Sequence, residues 1–203
     1  VNRVGDILTT EPSITNKENA VELVNPKGEI EFKNVFFRYH NADDDVLADI
    51  SFKAIPGQTT AFIGSTGSGK STLINLIPRF YDITSGSITY DGIDIRDLTI
   101  ESLRDSIGFV PQKGLLFSGT IESNIKTGKA DADTELMSKA LSTAQAQFVT
   151  DMPDGINSEI AQSGSNVSGG QRQRLAIARA LVKQPSVYIF DDSFSALDLK
   201  TDA

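Results

Sequence analysis

The chain has 203 residues, with 19 Lys and Arg against 27 Asp and Glu, for a net charge of −8. That acidity disfavours broad binding to a nucleic-acid backbone, and an aromatic share of 7% without Trp offers no base-stacking platform. The absence of cysteine excludes disulfide scaffolds, thiol nucleophiles and Cys-ligated metal centres. An apolar share of 39% fits a globular domain with a real core, and a chain this long buries roughly 70% of its extended surface. No stretch approaches the ~18 apolar residues of a spanning helix. A charged-then-apolar leader is not expected at the start either.

Residues 1–28 are rich in Asn, Thr, Glu and Lys, with Pro12 and Pro26 as breakers. Val1, Val4, Ile7 and Leu8 fall at helical spacing, which predicts a helix end followed by an extended linker; a disordered terminus is the other reading. Ile30 and Phe32 alternate with Glu31 and Lys33, and this strand pattern runs on to Tyr39. After a polar turn, Ile50, Phe52 and Ala54 alternate again up to Pro56-Gly57. Residues 59–63 read as a short strand feeding Gly64. Leu73, Ile74, Leu76 and Ile77 then follow at helical spacing until Pro78. Residues 87–90 predict a strand, Asp91-Gly92 a hairpin turn, and 107–110 another strand.

From about residue 120 to 148 the pattern is helical. Leu136, Ala140, Leu141, Ala144 and Phe148 share a face, and Asp133 or Thr134 serves as cap. Ser168 caps a long helix that ends before Pro185. The unbroken apolar run at 187–190 predicts a parallel strand buried on both faces.

Gly64-Ser65-Thr66-Gly67-Ser68-Gly69-Lys70-Ser71 fits G-x-x-x-x-G-K-[ST], and these residues with Thr72 are the expected nucleotide-binding set. The glycines let the backbone turn tightly and aim N–H groups inward. Lys70 adds a full charge for β- and γ-phosphates, and the Ser71 hydroxyl suits Mg²⁺, a hard cation that prefers oxygen. Asp191 ends the apolar run, where the metal-side acid of a phosphate-loop NTPase is expected. Farther along, Val167-Ser168-Gly169-Gly170-Gln171 gives a capped, glycine-bare helix start, a second anion-binding end. Two phosphate half-sites in one chain predict a head-to-tail dimer with nucleotide between the subunits.

These motifs, in this order, resemble those of ATP-binding cassette (ABC) proteins across roughly residues 29–203. Ser168, Gly169, Gly170 and Gln171 match the family signature, whose commonest first residue is Leu where Val167 stands here. The resemblance implies that Tyr39 stacks on adenine, although a strand-face tyrosine is the plain alternative. It implies that Gln112 contacts Mg²⁺ and the attacking water, and that Ser195-Ala196-Leu197-Asp198 is the loop crossing the dimer interface. It also implies ATP and Mg²⁺ as ligands, with Ser71, Gln112 and Asp191 on the metal. The segment from Gly119 to Ile125 is similar to exporter-type cassettes, and Arg3-Val4-Gly5-Asp6-Ile7-Leu8 to the connector leaving their last membrane helix.

The implied fold is α/β: a P-loop NTPase core with a RecA-like parallel sheet, an antiparallel β subdomain and a helical insert. Residues 1–28 would be the connector, 29–203 the ATP-binding domain, and 115–170 the insert. The implied partners are a second nucleotide-binding domain and a transmembrane domain, with no nucleic acid, at the cytoplasmic face of a membrane.

Two departures stand out. Asp192 occupies the position where active cassettes usually carry the glutamate base, and it is one methylene shorter. A shift of about 1 Å in a catalytic group can cost on the order of 10²-fold in rate. In the family this change marks the degenerate half of heterodimeric exporters, and Phe190 to Asp198 resembles that half. The family's switch histidine falls beyond Ala203; His40, the only histidine, reads as an exposed turn residue. The expected activity of the chain as it stands is therefore weak or nil. The alternatives are a regulatory ATP-binding half with slow hydrolysis, or a soluble cassette ATPase acting on DNA or ribosomes. The acidic balance disfavours the second. A GTPase or kinase would share the phosphate loop without the signature.

Overall fold

The computed structural model describes residues 12–193. They fall into two compact units that divide between Arg104 and Asp105.

In the first unit, β1 (Ile30–Phe37) and β2 (Leu47–Ala54) pair antiparallel. The alternation read in the sequence decides which face is dry: Ile30, Phe32, Val35 and Phe37 are buried while Lys33 and Asn34 are exposed. Phe32 sits opposite Phe52, and their rings stack 4.5 Å apart. β3 (Ser85–Tyr90) pairs with the other edge of β1, and β4 (Ile93–Asp94) closes a hairpin, giving the sheet order β2-β1-β3-β4. Asp91 (φ 50°) and Gly92 (φ 83°) form the expected two-residue turn, whose backbone needs both residues left-handed. The bulge in β1 between Lys33 and Phe36 brings Gly86 so close that a Cβ there would lie 2.3 Å from the Asn34 carbonyl oxygen.

The incoming segment is bonded to this unit. Val21 bridges Leu98, Lys17 pairs with Asp97, and the Asp91 carboxylate accepts the N–H groups of Lys27 (2.7 Å) and Glu29 (2.8 Å). Residues 12–28 form no helix, but the Ala20 N–H closes a turn onto the Lys17 carbonyl at 3.0 Å and Asn25 takes φ 49°. The connector-like stretch from Arg3 to Leu8 lies outside the described residues.

Helix α1 (Lys70–Leu76) buries Leu73, Ile74 and Leu76. Arg79, just past Pro78, is buried and forks onto the Asp82 carboxylate at 2.7 and 3.2 Å. Helix α2 (Ile100–Asp105) buries Leu103.

In the second unit, β5 (Ile107–Val110) and β8 (Val187–Phe190) pair in parallel, from Ile107 opposite Val187 to Val110 opposite Phe190. Between them lie α3 (Ile121–Lys126), α4 (Thr134–Thr143) and α5 (Gly169–Val182), and a short ladder joins β6 (Gly119–Thr120) to β7 (Glu159–Ile160). Helix α5 packs against α3, α4 and β5. Its apolar stripe, with Leu175, Ala178 and Val182, meets Ile121, Ile125, Met137 and Ala140 in one core. Asp133 caps α4 as expected, accepting the Leu136 N–H at 2.8 Å.

Two expectations fail. Residues 59–63 form no strand, have no ladder partner among the described residues, and leave Ile63 96% exposed. The run at 187–190 is a strand, yet only Ile189 is buried; Tyr188 and Phe190 are exposed and stack on each other with centroids 6.4 Å apart. An apolar run says that a strand can form, but neighbours bury it. Among the described residues β5 is the sole partner of β8.

Candidate nucleotide-binding site

The phosphate loop lies in the first unit and leads into α1. Gly67 and Gly69 hold φ values of 84° and 87°, in the left-handed region that glycine enters at little cost. Gly69 is also closely packed: a Cβ there would meet Leu47 Cδ2 at 2.9 Å. Gly67 faces open space, since its Cβ would meet nothing within 4 Å. The loop is thus tight on its protein side and open on the other. The Lys70 ammonium folds back over it, donating to the carbonyls of Gly64 (2.8 Å) and Ser65 (2.7 Å) and lying 3.3 Å from Ser68 Oγ. A full cation resting on neutral acceptors at an open, exposed loop is a donor set that suits phosphate. Ser65, Thr66, Ser68 and Ser71 are exposed around it.

Tyr39 is half-buried beyond the end of β1. Its ring meets Phe37 and Tyr81 edge-on, at 4.8 and 5.3 Å, and its hydroxyl lies 3.0 Å from Thr72 Oγ1. The residue read as an adenine platform is thereby bonded to the helix that follows the phosphate loop. Thr72 is buried and serves as this hydrogen-bond partner. His40 is exposed in a turn, as expected.

The second unit holds the signature and the candidate water-handling residues. Ser168 Oγ accepts the Gln171 N–H at 3.2 Å, and Gln171 Oε1 accepts the Ser168 N–H at 2.9 Å. This reciprocal box fixes the start of α5 while leaving Ser168 and Gly169 exposed. Arg172 clamps the preceding loop, donating to the carbonyls of Gly164 (2.9 Å) and Val167 (2.8 Å).

Gln112, in the loop after β5, donates through Nε2 to Asp192 Oδ2 at 3.2 Å. The structure therefore brings together the two residues that the sequence assigned to the attacking water. Asp191 is half-buried, and its N–H bonds the Val110 carbonyl at 3.0 Å, continuing the β5–β8 ladder. Ser193 is fully buried, with its hydroxyl donating to the same carbonyl at 3.1 Å. Asp192 turns out of the ladder with φ 44°. Residues 195–198, read as the interface loop, lie outside the described residues.

Among the described residues, no three His, Asp or Glu side chains gather as a metal cage. In the first unit Ser71 offers an exposed hydroxyl, and in the second Gln112 and Asp191 offer an amide oxygen and a carboxylate. Each is a hard oxygen donor of the kind Mg²⁺ takes beside its waters and substrate oxygens. Sequence reasoning missed Gln171 as a capping partner, although the spacing Ser168-x-x-Gln171 is a capping-box signature. Arg172 and Gln173 continue the stretch that resembles the signature, but the sequence assigned them no partners, and those lie in loops outside α5.

Comparison with known proteins matches residues 47–195 to the ABC transporter family. Over 206 residues the chain is 47% identical to the uncharacterized ABC transporter ATP-binding protein Rv1273c of Mycobacterium tuberculosis, covering 99% of this chain and 35% of that protein. Over 203 residues it is 42% identical to the putative multidrug export ATP-binding/permease protein YgaD of Bacillus subtilis, covering 100% of this chain and 35% of that protein. Among solved structures it resembles a bacterial Atm1-family ABC exporter with ATP bound, with TM-score 0.92 and 38% identity over 99% of this chain and 35% of that one. The chain thus spans about a third of the length of these relatives, and it belongs to the ABC transporter family.

Proposed function

We propose that this chain is the ATP-binding and hydrolysing domain of an ABC exporter, working at the cytoplasmic face of a membrane with a second nucleotide-binding domain and a transmembrane domain. The observation that carries the reading is the Lys70 ammonium on the rim of an open phosphate loop, in a chain whose relatives include a multidrug export protein. Among the described residues no helix is long and apolar enough to cross a membrane.

Lys70 would exchange its carbonyl partners for the β- and γ-phosphates of ATP, and the loop N–H groups would line the phosphate chain. Ser71, Gln112 and Asp191 would hold Mg²⁺, which neutralises charge developing on the transferred phosphoryl group. Asp192, steadied by Gln112, would orient the attacking water. Ser168, Gly169 and Gly170 would present the start of α5 to nucleotide held by the opposite domain. Head-to-tail closure and release of the two domains would then move the membrane helices.

A second reading is favoured by Asp192 itself: a half that binds ATP tightly, turns it over slowly and regulates its partner. Mg·ATP binding and phosphate release by the full-length protein, with Asp192 and with Asp192→Glu, separate the two. Tight binding with slow release, raised on the order of 10-fold or more by glutamate, supports a degenerate site. Fast release with Asp192 makes the aspartate a competent base. Failure to bind Mg·ATP overturns both readings.

A further inference from the structure

Gln173 lies in the second turn of α5 and is 1% exposed. A buried amide needs partners for both its ends, and this one finds them on a single loop. Its Oε1 accepts the Gly114 N–H at 2.7 Å, and its Nε2 donates to the Pro111 carbonyl at 3.1 Å. Only one orientation of the amide satisfies both contacts. Between the two anchored residues stand Gln112 and Lys113. The loop also lies directly on the helix backbone: a Cβ on Gly114 would come within 2.7 Å of the Arg172 carbonyl oxygen and 3.1 Å of Gln173 Cα. Gln112 projects from this pinned loop to Asp192 Oδ2 at 3.2 Å.

We infer that Gln173 is a positioning residue: it ties both ends of the Gln112 loop to the signature helix, so that α5 sets where Gln112 meets Asp192 and the attacking water. One side chain thus joins the helix whose start is offered to nucleotide across the dimer to the loop that handles water in its own half. A core filler would need neither contact. The inference rests on the hydrolytic reading proposed above, and its test separates the two.

The test uses the full-length protein with Gln173→Met, which keeps the bulk and loses both bonds, and Gln173→Glu, which keeps an acceptor for Gly114. Amide exchange is followed by segment, beside kcat and KM for ATP. Met is expected to speed exchange at Lys113 and Gly114 about 10-fold while distant segments stay unchanged, and to lower kcat about 10-fold with KM within about two-fold. Glu should fall between Met and wild type. Unchanged loop exchange overturns the inference. So does faster exchange with unchanged kcat, or faster exchange throughout the unit, which marks a purely structural role. A wild-type protein that binds Mg·ATP without turnover sinks the hydrolytic reading alone. Mg·ATP-dependent protection of the Gln112 loop then decides: lost with Met, it supports the inference; retained, it overturns it.

Discussion

Asp192 adopts φ 44°, a left-handed conformation that aspartate tolerates better than longer side chains. In the hydrolytic reading proposed above, two demands therefore meet at one residue: the backbone favours Asp, and reach toward the attacking water would favour Glu. Asp192→Glu should raise hydrolysis while costing up to about 1 kcal/mol of stability, so urea midpoints belong beside the rate measurement. A second residue-scale prediction concerns acid. Burial alone would raise the Asp94 pKa, but the bonds and charge of Arg96, whose Nη2 lies 2.6 Å away, outweigh it and hold the carboxyl below its ordinary value. A pKa lowered by folding stabilises the native state above the unfolded pKa of about 3.9, and that contribution is lost as pH falls through the lower folded value. Because both groups are partly solvated, the effect is about 1 kcal/mol at most. Asp94→Asn should therefore lower the urea midpoint at pH 7 and lose that difference as pH falls below the ordinary carboxylate range. An unchanged difference at acid pH would mean that the pair's charge is not what Asp94 contributes.

At the scale of elements, what was legible depended on how local the cause was. Asp133, Ser168 and the Asp91-Gly92 turn act on backbone groups a few residues away, and all three behave as the sequence indicates. The strand read at 59–63 and the two-sided burial read at 187–190 depend on neighbouring strands, which spacing along one segment does not report. Gln173 was illegible for the same reason, since its partners lie 59 and 62 positions away. The same holds for Gly86, which looks like an ordinary glycine at a strand start. The structure gives it φ 88° and places the Asn34 and Lys33 carbonyl oxygens 2.3 and 2.6 Å from where a Cβ would sit. Both oxygens belong to β1, which cannot retreat without breaking its pairing with β2 or β3. Gly86→Ala should cost about 3 kcal/mol, combining left-handed strain with overpacking, and lower the thermal midpoint by several degrees. A midpoint within one degree of wild type, roughly the effect of a few tenths of a kcal/mol, would show that the bulge yields.

For the whole molecule, the decisive issue is whether the signature end of α5 serves its own chain or a second domain. Any substitution that unfolds the cap would confuse the two, because Ser168 and Gln171 already hold the helix start through their reciprocal bonds. Gly169 escapes this problem. It is exposed, has no left-handed φ, and a Cβ on it would meet only Arg172 Nη2 at 3.8 Å. A carboxylate in the first turn also favours the helix dipole, contributing about 0.3–1 kcal/mol. Gly169→Glu should therefore leave the thermal midpoint unchanged or raise it, while placing negative charge where the opposite domain's phosphates would arrive. In the head-to-tail reading, Mg·ATP still binds at the Lys70 loop, but ATP-dependent closure and hydrolysis at the partner's site fall by about 10²-fold, the scale of losing one preorganised donor to a developing anion. Separating the arms requires mixed dimers in which only one half carries the variant. Loss of turnover at the partner's loop with the variant's own loop still active supports service across the interface. Loss confined to the variant's own loop would assign the helix start to its own chain, and the cassette would then complete its phosphate site alone.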